Sequence, residues 1–581
     1  MPDFLTELLA TLSVALRADV NALEVVLLVA AALCVNRGWL GAPPWCGALE
    51  NAGRRLARRP RLAVLGMISL AVVARLALLP LVPLPHSGGS DEFSHLLLGD
   101  TLAHGRLTNP SHPMWMHFES RHILQQPTYN SMYFPGQGAF LALGKTLFGH
   151  PWAGVLASTA LLCGAITWML QGWFSPGWAL AGGLLAILRI GLVSYWANSF
   201  WGGSVPALGG ALVLGAYPRL RQGPRLAHAV LLGAGLALMA ASRPFEGLAF
   251  ALPVAVALGA WALSRGGPGW RATAGRLVLP VVLILGLTGT AMAVYFRAVT
   301  GSPTILPYQV NQRTYGWPMT LVWQDPPRVE HRHKELRDYY NWELTEHESL
   351  KLPRAAAVAL MYKGVLLWSF YLGPALSAPL LLAFGSLGGR RMRLVLLAGV
   401  ATLAATLLEQ SSYPHYVSPA TCVAFALIIN AMQQLAQKDE RQHQLACAVF
   451  AIVVVAVAFR LAAKPIGAPL RGPQLQMSWC CSDYRPNDRW PFEQRLRAAE
   501  GRHLVIVRYA PEVKLHAEWV YNEADIDGSK IVWARDMGEA ANRELIRYYP
   551  DRQVWLGEPD RQPPAVHGNV GTDGTFPGFP R

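Results

Sequence analysis

Residues 204–264 read SVPALGGALVLGAYPRLRQGPRLAHAVLLGAGLALMAASRPFEGLAFALPVAVALGAWALS. Three apolar runs, 204–217, 226–242 and 247–264, are joined by two connections of opposite character. The first carries Arg219, Arg221 and Arg225. The second is a tight turn holding Ser242, Arg243, Pro244 and Glu246. A bilayer core about 30 Å thick is crossed by about 20 apolar helical residues, and a helix satisfies its own backbone where no water can. The stretch therefore predicts membrane-crossing helices. Basic residues in short loops mark the cytoplasmic side, which puts the Arg243–Glu246 turn outside.

Outward from this stretch the pattern repeats. Further candidate crossings are 20–36, 61–83, 152–171, 176–195, 277–296, 369–386, 393–409, 417–434 and 443–461, about twelve in all. Two shorter apolar runs, 136–148 and 355–368, fit interfacial or re-entrant helices. Arg54, Arg55, Arg58, Arg59 and Arg61, then Arg265, Arg271 and Arg276, Arg390, Arg391 and Arg393, and Lys438 and Arg441 all fall on the same side as Arg219. The opposite short connections, 196–203 and 410–416, have no Lys or Arg. Of 581 residues only 15% are charged, against about 25% in soluble domains. The net charge of +14 sits wholly before residue 463, because residues 463–581 hold 16 basic and 16 acidic side chains. The charge thus sets topology in the bilayer, and nucleic acid is not expected as a partner. The first apolar run lacks a basic n-region and a small-x-small site, so it does not read as a cleaved signal peptide.

The expected fold class is an α-helical polytopic membrane protein with a small C-terminal extramembrane α/β domain. Residues 1–60 hold a weak amphipathic helix (3–17), a span and a basic cytoplasmic linker. Residues 61–462 form the transmembrane domain, with external loops 84–135 and 298–354. Residues 463–581 form an external α/β domain with strand-like runs at 503–509, 530–535 and 553–556, a helix at 539–549, and a loose Gly- and Pro-rich tail. There is no CxxC pair and no visible internal repeat.

Acids are sparse in the membrane part, so those beside the spans carry information. The first external loop opens SDEFSHLLLGDTLA (90–103). The pair Asp91 and Glu92 could deprotonate an acceptor hydroxyl; it could equally cap the helix and complement its dipole. Next comes QQPTYNSMYFPGQG (125–138), whose Tyr133 and Gln137 suit a sugar or phosphate, or an interfacial aromatic belt. Arg243 has planar donors that match phosphate oxygens, or it pairs locally with Glu246 at the helix start. In EQSSYPHY (409–416), Tyr413 and His415 occupy the equivalent late turn, and His415 could serve a phosphate or a proton or stay solvated. His331, His333 and His347 interleave with Arg332 and Lys334 and lack metal-ligand spacing, so they read as a solvated polar face. No cofactor is certain: a divalent metal stays open, without support from spacing.

This order of features resembles the GT-C superfamily of integral membrane glycosyltransferases, in the branch of protein O-mannosyltransferases, aminoarabinose transferases and related lipopolysaccharide enzymes. Four features carry the likeness: Asp91-Glu92 opening the first external loop, YFPGQGAFLALGKTLFGHPW at 133–152, the Arg-Pro-x-Glu turn at 243–246, and HYVSPA at 415–420. The resemblance implies a GT-C-like transmembrane domain and a sugar donor on a polyprenyl phosphate. It implies transfer to the hydroxyl of a lipid, glycan or protein acceptor on the external face, with inversion. It makes Asp91 or Glu92 the general base, and Arg243, His415, Tyr133, Gln137, Glu246 and Tyr413 the donor-binding set. The look-alikes are bacterial, which implies a multi-pass protein of the inner membrane with a periplasmic C-terminal domain. Unlike many relatives, the chain has no acid in 196–203 and no basic residue just before Pro135.

Two other readings compete. A transporter or flippase for a lipid-linked glycan would place polar groups mid-span, often in broken helices, whereas here they cluster at the outer ends of spans. A non-catalytic membrane assembly protein would use the α/β tail to bind a partner.

Overall fold

The computed structural model describes residues 19–39, 53–316, 321–325, 327–411, 413–463, 465–467, 477–480, 488–510 and 518–568. The expected 3–17 helix lies outside them. Among the described residues, six helices are long and apolar enough to cross a membrane: Pro60–Ala77, Trp152–Gln171, Pro244–Leu263, Trp270–Thr300, Ser418–Ala436 and Glu440–Ala463. Four shorter apolar helices, Val20–Asn36, Pro176–Gly191, Leu226–Ala240 and Arg393–Leu407, match further expected crossings. Ser204–Gln222 runs past the expected end at 217 and takes Arg219 into its last turn. That side chain stays helical by lying along Trp168, with its guanidinium carbon 4.1 Å from the ring centroid, and bonding the carbonyls of Trp168 and Gly215. The Trp270–Thr300 helix is longer than the expected 277–296 because Arg271 and Arg276 continue it rather than end it.

The break near residue 369 falls a little later than the sequence suggests. Pro353–Tyr371 and Gly373–Leu382 meet at a bend of 92°. A helix start inside a packed bundle needs an acceptor for its free N–H groups. Glu24 supplies one: its Oε2 accepts from Ala375 N at 2.9 Å, while its Oε1 accepts from Arg189 Nη1 at 3.1 Å. Elsewhere small residues set helix spacing. A Cβ on Gly209 or on Gly235 would lie 2.6 Å from the other's carbonyl oxygen, so the Ser204–Gln222 and Leu226–Ala240 helices touch backbone to backbone.

Above the bundle, the helix Ser90–Ala103 leads into a small antiparallel sheet. Strands β1 (Asn109–Pro110), β2 (Ile123–Leu124) and β3 (Thr128–Ser131) lie in the order β1-β3-β2. The helix Pro135–Phe148 follows. The C-terminal unit has strands β4 (Arg502–Val507), β5 (Ile531–Arg535), β6 (Arg552–Glu558) and β7 (Ala565–Gly568) in the order β5-β4-β6-β7. The first three are parallel and β7 is antiparallel to β6. The helix Trp490–Ala498 was not expected. Nor was β7, which lies in the stretch read as loose; residues 569–581 lie outside the described residues.

This α/β unit shares its core with the first external loop. Leu97, Phe118, Ile123 and Tyr129 pack with Leu504, Ile506, Val532 and Leu545. Arg535 is fully buried at the junction. It donates to Glu119 O at 2.6 Å, Glu335 Oε1 at 2.9 Å and Glu518 Oε2 at 2.6 Å, linking the tail to both large loops. Removing one member of such a buried set strands the others, at about 3–5 kcal/mol. Arg535→Ala should therefore loosen the tail from the loops, read as faster hydrogen exchange in β4, β5 and the 115–124 segment, with the membrane helices unchanged.

Candidate functional site

The site is built around an irregular turn, residues 192–203, that is buried at the outer end of the bundle. Buried backbone outside regular structure must find side-chain partners. Phe200 N donates to Glu92 Oε1 at 2.7 Å, and Phe200 O accepts from Gln137 Nε2 at 3.1 Å. Trp152 Nε1 donates to Ala197 O at 2.9 Å, and Arg75 Nη2 reaches Asn198 Oδ1 at 2.6 Å. Gly202, at φ 89°, completes the turn; a Cβ there would meet Gln137 Cδ at 2.6 Å.

The acidic pair divides. Glu92 is fully buried, and its second oxygen accepts from Gly88 N at 2.7 Å. Both its oxygens are committed to holding backbone. Asp91, about 100° away around the helix, keeps a side chain 23% exposed. Its Oδ1 accepts a hydrogen bond from the Tyr133 hydroxyl and lies 3.4 Å from His122 Nδ1. Its other oxygen has no hydrogen-bond partner among the described residues. Burial holds His122 below its usual range, so the ring beside Asp91 is neutral.

Two neighbouring chambers with a shared wall lie beyond Tyr133. The smaller, about 30 Å³, is lined by His95, Tyr133, Gln137, Trp201, Ser242, Arg243, Tyr308 and His415, with no acid. The larger, about 330 Å³, shares Tyr133, Phe134, Ser242, Arg243 and Tyr308 and adds Glu246, Glu343, Glu409, Gln309, Gln312, Gln410 and Tyr416. Arg243 stands between them. Its guanidinium carbon lies 3.8 Å from the Tyr416 ring centroid, and Nη1 reaches Glu246 Oε1 at 3.3 Å, so the local pair foreseen from sequence coexists with a face on both chambers. His415 is buried, with Nδ1 3.0 Å from the Tyr195 hydroxyl, stacked with Tyr413 and Tyr416. Tyr413 lines neither chamber directly and acts as a support for His415.

The structure thus gathers Tyr133, Gln137, Arg243 and His415 on one small chamber. It sets Asp91 against its wall, puts Glu246 in the larger chamber, and keeps Glu92 apart as scaffold. Sequence reasoning missed His95, Tyr308, Glu343 and Glu409. Glu409 alone left a signal, an acid at the outer end of an apolar run. Its Oε1 is buried with no hydrogen-bond partner. Glu343 accepts from Tyr339 and Gln410, and burial pushes its carboxyl up to about 7.

The histidines of the second loop are not a solvated face. His331, His333 and His347 bond the carbonyls of Tyr315, Met116 and Gln324 at 2.7, 2.8 and 2.8 Å, and the last two are buried. These partners lie 16 or more residues away in sequence and gave no local sign. Among the described residues no group of three or more His, Cys, Asp or Glu could hold a metal ion.

Neither protein-family profiles nor curated protein sequences match the chain. Among solved structures it is similar to ArnT from Cupriavidus metallidurans, apo and bound to undecaprenyl phosphate. Identity is 13% in both, with TM-scores of 0.47 and 0.48, covering 85% of this chain and 93% of that one. It is also similar to the archaeal oligosaccharyltransferase AglB from Archaeoglobus fulgidus, in complex with an inhibitory peptide and a dolichol-phosphate. That match has 12% identity and a TM-score of 0.41, over 85% of this chain and 69% of that one.

Two stability predictions separate scaffold from site. Glu92→Gln leaves a buried N–H unmatched and should cost about 1–3 kcal/mol, whereas Asp91→Asn should cost less than about 1 kcal/mol; thermal unfolding in detergent measures both. For Glu343, a folded-state carboxyl raised above its ordinary 4.5 favours the neutral acid. Wild-type stability should therefore fall as pH rises from about 4.5 through about 7, by on the order of 3 kcal/mol. Glu343→Gln should flatten that slope, and an unchanged slope between pH 5 and pH 8 would refute the assignment.

Proposed function

We propose that this chain is a membrane glycosyltransferase that moves a sugar from a polyprenyl-phosphate donor to an acceptor hydroxyl on the external face, with inversion. The observation that carries the reading is Asp91, a carboxylate with one free oxygen beside a chamber walled by Arg243 and His415. Such a carboxylate can take the acceptor's proton as its oxygen bonds the anomeric carbon. The bond from that carbon to the phosphate oxygen breaks on the opposite face, and its electron pair leaves with the phosphate. Arg243 meets the charge that develops there, and His415 adds a buried ring beside it. Tyr133 holds Asp91 in place through its hydroxyl. The acids and amides of the larger chamber supply acceptors for sugar hydroxyls. Glu92 serves the reaction only by holding the Phe200 turn.

The flippase reading draws on one feature, the 92° break beside the buried Glu24–Arg189 pair. Both Glu24 oxygens are engaged there, by Arg189 and by Ala375 N, which leaves that pair closed to a substrate.

The test is release of polyprenyl phosphate from a panel of polyprenyl-phosphate sugars by the purified full chain. Asp91→Asn should lower turnover about 10²–10⁴-fold, the usual worth of a general base, with little change in donor affinity. Arg243→Ala should weaken donor binding as well. Donor movement across a vesicle membrane without any turnover, or full turnover by Asp91→Asn, would overturn the proposal.

A further inference from the structure

His95 is the one imidazole in the small chamber for which the reaction above has no use. It is 9% exposed. Its ring stacks on Tyr133 at 4.3 Å, yet neither ring nitrogen has a hydrogen-bond partner among the described residues, and Nδ1 is wholly cut off from solvent. Two other polar atoms on the same wall are in the same state: Ser242 Oγ and Gln137 Oε1 are buried without partners. Leaving a buried polar group unmatched costs about 1–3 kcal/mol. His95 and Ser242, which can both donate, together call for a guest that brings acceptors; Gln137 Oε1 is itself an acceptor and stands outside that pair.

The chamber's chemistry restricts the guest. Its lining has N–H and O–H groups from His95, Ser242, Arg243, Tyr308 and His415, and no carboxylate. Every acid nearby lines the larger chamber or, like Asp91, is already bonded at its wall. About 30 Å³ holds roughly two water-sized atoms. That is too little for a sugar ring but enough for two oxygens of a group whose bulk lies in the larger chamber.

We propose that the small chamber seats the oxygens of a phosphate, with His95 and Ser242 as donors to it beside Arg243. The inference rests on the donor class named above and assigns His95 as a binding residue that reading does not include. Burial and the Arg243 charge hold the imidazole down to about 3, although Asp91 opposes them, so His95 enters the site neutral, with one N–H to donate. The charged and titratable groups that face it are Asp91 on its own helix, His122, Tyr133, Arg243, Tyr308 and His415. Arg243 is the one permanent cation among them. A phosphate supplies acceptors on several sides at once, with the negative charge that Arg243 calls for.

The experiment measures binding of undecaprenyl phosphate, undecaprenol and inorganic phosphate to the full chain in detergent. Comparison of the first two isolates the headgroup, and competition by inorganic phosphate shows whether the seat takes free phosphate or only the lipid-borne group. His95→Phe keeps the stack on Tyr133 and removes both nitrogens. It should unfold at or above the wild-type temperature, bind undecaprenyl phosphate about tenfold more weakly and bind undecaprenol unchanged. His95→Asn, which returns one donor, should recover part of the loss. If wild type prefers the phosphate, Arg243→Ala abolishes that preference and His95→Phe leaves it intact, this inference falls and the donor assignment stands. If wild type shows no preference for phosphate over hydroxyl, both fall.

Discussion

The loop-bearing end of the bundle hangs on the backbone of one residue, Phe200. Its N–H is held by Glu92 from the first external loop and its carbonyl by Gln137 from the next helix. The turn that carries it leaves a π turn at Ile187–Gly191 and enters the Ser204–Gln222 helix, so it has no regular ladder of its own. In a buried position an unmatched peptide group costs more than the turn could recover by packing. Glu92 and Gln137 are therefore fixed, and fixing them orients the helix that also carries Asp91 and His95 and the helix that follows Tyr133. One of the two carboxylates that the sequence offers as a base is spent on this anchor, and its neighbour, about 100° around the helix, keeps one oxygen without a hydrogen bond among the described residues.

This explains what could be read in advance. The crossings were legible because a bilayer imposes a length and a composition on each of them. The strands of the tail were legible because β-branched runs such as 503–507 sit between turn formers. Arg243 and His415 stood out because charge is scarce beside the spans. Glu92's role was invisible, since its partners lie at residues 88 and 200. His95 was invisible for a different reason: nothing local distinguishes a histidine left without a partner from one that has found one. The helix break at Gly373 came later than hydropathy placed it because a single acid 351 residues upstream, Glu24, supplies the acceptor for Ala375 N.

Charge is sorted around Arg243. On one side lie groups that donate, on the other Glu246, Glu343 and Glu409 with a set of amides. A phosphate would be repelled by the second set were those acids ionised and close. Burial pushes the Glu343 carboxyl up to about 7, so near pH 7 only about half of it is ionised, which lowers that repulsion. The Arg243–Glu246 pair, which from sequence alone could be a mere helix cap, also holds the arginine at the boundary between the two environments.

The tail belongs to the same argument. Glu518 lies 3.9 Å from Arg121, whose guanidinium carbon sits 4.2 Å from the centroid of the Tyr339 ring. The Tyr339 hydroxyl donates to Glu343 at 3.0 Å and lies 3.4 Å from His122 Nε2, and His122 Nδ1 faces Asp91. Arg535 binds Glu518 on the far side of this chain of contacts. The free carboxylate and the acid-rich chamber are thus supported from above by the α/β unit and from below by the Phe200 turn. Both supports are buried: the Phe200 turn by backbone hydrogen bonds, the α/β unit by the Arg535–Glu518 ion pair. The α/β unit therefore does more than cover the external loops: its contacts run through Arg121, Tyr339 and His122 as far as Asp91.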